Sequence, residues 1–253
     1  MGVRIGLQSS EDRLRDQIKV LVFYGTVYED IEEYKRNYEL DDAGMAAWAK
    51  EAKEIMGVPM HLNYRFERMP KNQLPATLAV LAGNRQGHDK GHRLYRALLR
   101  RSIVEEQDVT RETVILEAVK EAGLDGDNFE RDWADQTGLK ADLERQGEGV
   151  PSVHVGFYNI AVTDLHGRSV YLDQQFQPSV VEGAIDYLAD GKLKKAKPAD
   201  LLSYLKLQGP TPLVEVERVF GLPSAEARTK LEKVEKVGKA KGTTLAGDSF
   251  WSA

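Results

Sequence analysis

The 253-residue chain contains no cysteine. Disulfides, thiolate zinc sites, thiol nucleophiles and dithiol redox chemistry are excluded, because each needs a cysteine sulfur. No apolar run approaches the roughly 20 residues that a membrane helix requires, so no membrane partner is expected. The N-terminal stretch MGVRIGLQSSEDRLRDQ carries mixed charge and no apolar core. It does not read as a secretory signal, and a cytoplasmic location is the expectation. Three catalytic signatures are missing as well. There is no Gly-x-Ser-x-Gly nucleophile elbow. Gly83–Gly87, GNRQG, lacks the Gly-Lys-Ser/Thr end of a phosphate-binding loop and reads as a break between helices. His88 and His92 have i, i+4 spacing, but GHDKGH holds a glycine, no intervening glutamate and no third ligand at a matching distance. It reads as a surface turn, and no metal is expected.

What is present is an ordinary globular composition, 42% hydrophobic and 30% charged. The charge is unevenly placed. Gly191–Ala253 holds 12 Lys+Arg against 7 Asp+Glu, whereas the remainder holds 23 against 33. A basic tail on an acidic body points to two domains.

Ile18–Tyr24, IKVLVFY, is β-branched and aromatic like a buried strand. Tyr28–Asn37 can begin a helix. Asp41–Met56 is a clearer one, with Asp41 or Asp42 as its cap. Val58–Phe66 alternates as a second strand, so the unit reads strand, helix, strand with a parallel pair. Helical periodicity follows over Leu74–Leu81, His92–Ile103, Thr110–Ala122 and Asp127–Thr137. The period then changes. Ser152–Val162 and Ser169–Leu172 form a hairpin about the turn Asp164–Gly167, and Ser179–Leu188 is a helix. This βαβ–(α)n–ββα order is that of a thioredoxin-like fold with an inserted helical subdomain. After Asp190–Pro198 come helices at Ala199–Leu207, Leu213–Phe220 and Ser224–Glu235, the last with Ser224 as cap, then a hairpin about Gly247–Asp248. Three helices and a hairpin give the winged-helix order. The tail core is expected to hold Leu201, Leu205, Val214, Val216, Leu231, Val234 and Phe250–Trp251. Trp48, Trp133 and Trp251 all occupy apolar positions and read as packing residues.

The fold class is therefore α/β. The division is an N-terminal extension at 1–17, thioredoxin-like segments at 18–70 and 141–190, an inserted helical subdomain at 71–140, and a winged-helix domain at 191–253.

Several segments resemble the DsbA-family thioredoxin-fold proteins of the FrnE and 2-hydroxychromene-2-carboxylate isomerase type. Phe66–Pro70, FERMP, resembles the Phe-x-Leu-x-Pro that ends the family's second strand. The run RLYRALLRRSIVEEQDVTRETVILEAVKEAGLD resembles its insertion helices. Gly149–Ser152, GVPS, resembles its Gly-Val-Pro-Thr/Ser, whose proline is cis. The resemblance covers roughly Ile18 to Leu188. It implies a ligand-binding loop at Val150, Pro151 and Ser152, with Val150–Pro151 cis and facing the Thr26–Glu32 window. In the family that window carries Cys-x-x-Cys; here it reads TVYEDIE. Thr26, Tyr28 and Glu29 are the candidates for the lost nucleophile position, and no confident catalytic residue remains. The resemblance thus implies an oxidoreductase-family protein that cannot exchange disulfides. It would act as a non-redox binding or scaffolding protein, with a protein or small molecule in the thioredoxin-like groove. One branch of the family uses serine and glutathione, so a glutathione-dependent isomerase or transferase with Thr26 supplying the hydroxyl is the alternative.

In the tail, Arg228, Lys230 and Lys233, with Lys236, Lys239 and Lys241, form a candidate nucleic-acid face for a ligand-sensing regulator. Glu226, Glu232 and Glu235 are interleaved at i, i+3 and i, i+4 spacing, which favours protein interaction over phosphate binding.

Overall fold

The computed structural model describes residues 22, 24–57, 59–62, 65–148, 160–172, 178–194 and 200–253. These are mostly helical, with two small antiparallel sheets. They divide into two compact units.

The first unit takes the described residues of 23–55 and 59–151. Its helices are α1 (Ile31–Tyr38), α2 (Asp42–Met56), α3 (Leu74–Asn84), α4 (His88–Ile103), α5 (Glu112–Glu121), α6 (Gly126–Ala134) and α7 (Gln136–Glu148). A 3-10 turn spans Phe66–Arg68. Helix α3, LPATLAVLAGN, is apolar on every side, and every residue from Thr77 to Gly83 is buried. A helix of that kind must lie in the middle of a core. It packs against α4, α5, α6 and α7. Leu94 and Leu98 of α4, Ile115 and Ala118 of α5, Phe129 of α6 and Leu139 of α7 are buried in this unit.

The helix starts follow from local chemistry. Aspartate carboxylates accept the first-turn amides: Asp30 from Glu32, Asp41 from Gly44, Asp125 from Asn128 and Asp135 from Gly138. Gly87 precedes α4 at φ 120°, a conformation that favours glycine.

The second unit takes the described residues of 152–253, with Val22, Met56 and Gly57. Strands β1 (Ile160–Thr163) and β2 (Ser169–Leu172) pair antiparallel, Ile160 opposite Leu172. In the turn, Asp164 accepts from the amides of His166 and Arg168. Ile160 and Val162, on one face of β1, pack with Val181 and Ile185 of α8 (Pro178–Leu188), as a period of two requires.

The C-terminal part is α9 (Leu201–Gln208), β3 (Thr211–Pro212), α10 (Leu213–Phe220), α11 (Ser224–Lys236), β4 (Lys241–Leu245) and β5 (Asp248–Ser252). The sheet order is β3-β5-β4, antiparallel throughout. The β4–β5 turn has Ala246 at φ 48° and Gly247 at φ 79°, the left-handed pair that two-residue hairpins prefer. Leu205, Val216, Ala227, Leu231 and Trp251 form the core, flanked by Leu201 and Phe220. The Tyr204 hydroxyl donates to the buried carboxylate of Glu215 at 2.7 Å.

Several expectations are corrected. Val58–Phe66 is not a strand at its described residues. Its amides are used elsewhere: His61 N donates to Ile103 O, and Phe66 N to Asp42 Oδ1. Of the strand expected over Ile18–Tyr24, Val22 and Tyr24 are described, and neither is in a strand. The segment Ser152–Asn159 lies outside the described residues. GHDKGH is not a surface turn but the first turns of α4, with His92 only 5% exposed and its ring 6.2 Å from that of Tyr95. Trp48 is 44% exposed and is not a core residue, whereas Trp133 packs half-buried on Phe129 and Trp251 is buried in a core, as expected. Ser224 is the first residue of α11, and Pro223 holds the cap position without a side-chain bond. The helix α7 and the short strand β3 were not expected.

Acid is expected to weaken both units. Asp135 is held below its ordinary 3.8 by the Gly138 amide and Arg85, Asp164 by Arg168, and Asp200 by the Ser203 hydroxyl. Each folded pKa is depressed, so the stabilisation is complete above the unfolded value and is lost as pH falls through the folded one. The thermal midpoint should fall below about pH 4. Asp164→Asn should be less stable than the wild type at neutral pH and converge with it in acid. Parallel curves would exclude Asp164.

Candidate functional site

The window Thr26–Glu32 enters α1 of the first unit. Thr26 is half-buried, and its hydroxyl donates to the Thr77 hydroxyl at 3.2 Å. Thr77 in turn donates to Gln73 O at 3.4 Å. The side chain that the sequence offers as a replacement nucleophile is thus tied into the start of the buried helix α3. Tyr28 is buried, and its hydroxyl donates to Pro70 O at 2.9 Å. Gln73 N donates to Tyr28 O at 3.2 Å. Glu29 is exposed. Segment 28–31 is therefore fastened to segment 70–73 by both backbone and side-chain bonds.

The start of α1 is closed in the same way. A helix leaves four first-turn amides without intrahelical partners, and their positive end favours anions. Here Ile31 N donates to Lys71 O at 3.0 Å. Glu32 N and Glu33 N donate to the Asp30 carboxylate at 2.8 and 3.4 Å. Tyr34 N donates to Asp30 O at 3.0 Å, the first regular bond of the helix. The amides of Ile31, Glu32 and Glu33 are thus occupied by the protein itself, and the pole already holds a carboxylate. Further along, Tyr28, Tyr34 and Tyr38 form a ladder with centroids 5.2 and 4.9 Å apart. Burial, with a contribution from Tyr38, raises the pKa of Tyr34, so it stays a neutral phenol. Lys35 pairs with Glu32 at 3.3 Å and lies 5.3 Å from the centre of the Phe66 ring.

The structure therefore brings Thr26 and Tyr28 into one fastened loop and leaves Glu29 outside it. Val150, Pro151 and Ser152, and the expected cis bond, lie outside the described residues. Sequence reasoning missed the capping role of Asp30, and it missed Thr77 and residues 71–73. Asp30 had a local signal, since Asp30 and Glu33 have capping-box spacing. The partner of Thr26 is 51 residues away and had none. Asp30→Ala is expected to cost about 1 kcal/mol, the usual worth of such a cap. A urea melt followed by circular dichroism measures this, and an unchanged midpoint would remove Asp30 from the argument.

In the tail, the structure separates the basic candidates. Arg228 lies over the Trp251 ring, 6.0 Å from its centre. Lys230 and Lys233 are exposed, and Lys230 pairs with Glu226 at 2.9 Å.

With this geometry described, comparison with known proteins supplies the family. A thioredoxin family model matches residues 17–147, just over half of the sequence, and the chain belongs to that family. It is also similar to two curated proteins, each named ClpXP adapter protein SpxH. The protein from Shouchella clausii is 27% identical over 183 residues, covering 70% of this chain and 59% of its own length. The protein from Halalkalibacterium halodurans is 25% identical over 210 residues, covering 78% of this chain and 65% of its own. The chain thus spans about three-fifths of the length of these relatives.

Proposed function

We propose that this chain is a non-redox, protein-binding adapter built on a thioredoxin-like domain, and that it acts in the cytoplasm with ClpXP as a partner. The observation that carries this reading is the closed start of α1. A thioredoxin-fold enzyme works by stabilising a thiolate at a helix N-terminus. Here the thiol is absent, the amides of Ile31, Glu32 and Glu33 are taken, and the Asp30 carboxylate occupies that pole. The names of the two relatives support adapter work rather than turnover. Within this reading the fold is the FrnE-type DsbA arrangement, with residues 71–140 as the inserted helical subdomain. The α9-β3-α10-α11-β4-β5 order of the tail supports a winged-helix module.

The same closure argues against the glutathione-dependent alternative. An incoming thiolate would meet the Asp30 carboxylate, and the Thr26 hydroxyl is directed to Thr77. The test uses the whole chain. It is expected to co-elute with purified ClpXP in size-exclusion chromatography, to add nothing to the rate at which dithiothreitol alone reduces insulin, and to give no saturable heat with glutathione. Saturable glutathione binding lost in Thr26→Ala would replace the adapter reading with the enzyme one. Failure to associate with ClpXP would remove that partner.

A further inference from the structure

The basic candidates of the tail do not act as one face, and their division points to a specific surface. Ala227 and Leu231 turn α11 into the core. Lys230, Lys233 and Lys236 are exposed on the other side. Val237, directly after the helix, is 63% exposed. Lys239 and Lys241 continue the exposed basic stretch into β4. Lys233, Lys236, Lys239 and Lys241 are all without ion pairs among the described residues. Of the two acids that adjoin these lysines in sequence, Glu232 is exposed, and Glu235 is engaged internally, accepting from Gly242 N at 2.9 Å and Trp251 Nε1 at 3.4 Å.

We propose that the end of α11 and the start of β4, with Lys233, Lys236, Lys239, Lys241 and Val237, form a docking surface for a partner-protein segment that carries carboxylates around an apolar side chain. The inference rests on the protein-binding reading above and names the chemistry of the partner. Lysines in the last turn complement the negative end of a helix, and a lysine guards an edge strand such as β4. Neither role accounts for Lys239 or for an apolar side chain exposed in the middle of the basic stretch. Charge complementarity calls for carboxylates, and Val237 calls for an apolar contact among them.

The arrangement suits a protein better than a duplex. The first turn of α11 holds the positive pole that would approach phosphates, and it carries Glu226. Arg228, the cation nearest that end, is drawn over Trp251. The free cations collect at the opposite end. Strand pairing does not reach the Gly242 amide, since Glu235 already occupies it, so recognition there goes through side chains.

The experiment titrates the full chain with a short fluorescein-labelled peptide of repeated Glu-Asp-Leu, by anisotropy, and repeats the ClpXP co-elution. The double substitution Lys233→Glu with Lys236→Glu is expected to weaken peptide binding about tenfold or more, as exposed charge reversals add. Val237→Ala is expected to weaken it about threefold, and to leave binding of a Glu-Asp peptide without leucine unchanged. Lys233→Gln with Lys236→Gln serves as the milder pair if the reversal disturbs folding. Equal binding by wild type and both pairs, with ClpXP still co-eluting, overturns the surface and leaves the adapter reading. Patch-dependent peptide binding without ClpXP co-elution does the reverse. Tighter binding of labelled duplex DNA than of the peptide at physiological salt, lost in the same variants, would overturn the protein partner in favour of nucleic acid.

Discussion

Gly91→Ala is expected to destabilise the helical unit by about 2 kcal/mol or more, the range for overfilling a packed core. In an exposed helix the same change gains up to about 1 kcal/mol, so the sign itself is diagnostic. Gly91 lies inside α4, where it crosses α3. A Cβ there would stand 2.8 Å from Asn84 N and would collide with the Asn84 carboxamide. Across the same crossing, a Cβ on Gly83 would stand 3.4 Å from Gly91 Cα and 3.0 Å from Leu94 Cδ2. The backbone of α3 cannot yield without moving the most buried helix of the unit. Gly147→Ala, whose Cβ would meet nothing within 4 Å, is the control and should be neutral or stabilising. Urea melts of the two variants measure the difference. A neutral Gly91→Ala would show that α3 and α4 separate more easily than this geometry allows.

Trp251→Ala is expected to cost the C-terminal module about 3–5 kcal/mol, as for other large aromatic truncations. Trp251 is buried against Leu205, Val216, Ala227 and Leu231. It stands on the central strand β5, opposite Thr211 on one side and Gly242 on the other. Its Nε1 donates to Glu235, and its ring lies against Arg228. One side chain thus ties α11 to all three strands. A module this small has little stability to lose, so the substitution should open it in water. Hydrogen exchange should show lost protection over residues 200–253 and unchanged protection in α3 to α6. Trp251→Phe, which keeps most of the packing, should lose much less. Equal protection in the alanine variant would mean that the core does not depend on this residue.

These two sites also show how far the sequence could be read. Trp251 was legible as a core residue, because Phe250–Trp251 sits on an alternating strand after three periodic helices. Gly91 was not. Its glycine looked like the mark of a turn in GHDKGH, and only the neighbouring helix gives it another purpose. Trp48 misled in the opposite way: its position looks apolar, yet no other element covers it fully. The second strand failed for a reason of hydrogen bonding. Val58–Phe66 has the alternation of a strand, but the amides of His61 and Phe66 find Ile103 and Asp42 instead of a ladder.

The sequence alone determined that no thiol chemistry is available, because that depends on composition and not on shape. It determined most helices, since caps and 3.6-residue periodicity act within a few residues of each other. It showed the basic excess of the tail and the interleaved acids. The tertiary structure decided the rest. It directed Thr26 to Thr77, gave the Ile31 amide to Lys71 O, buried His92, and drew Arg228 over the Trp251 ring. Each of these depends on what stands across the chain from the residue. A hydrogen bond spanning 51 positions leaves no local spacing to read, whereas a helix cap is written three residues from the amide it holds.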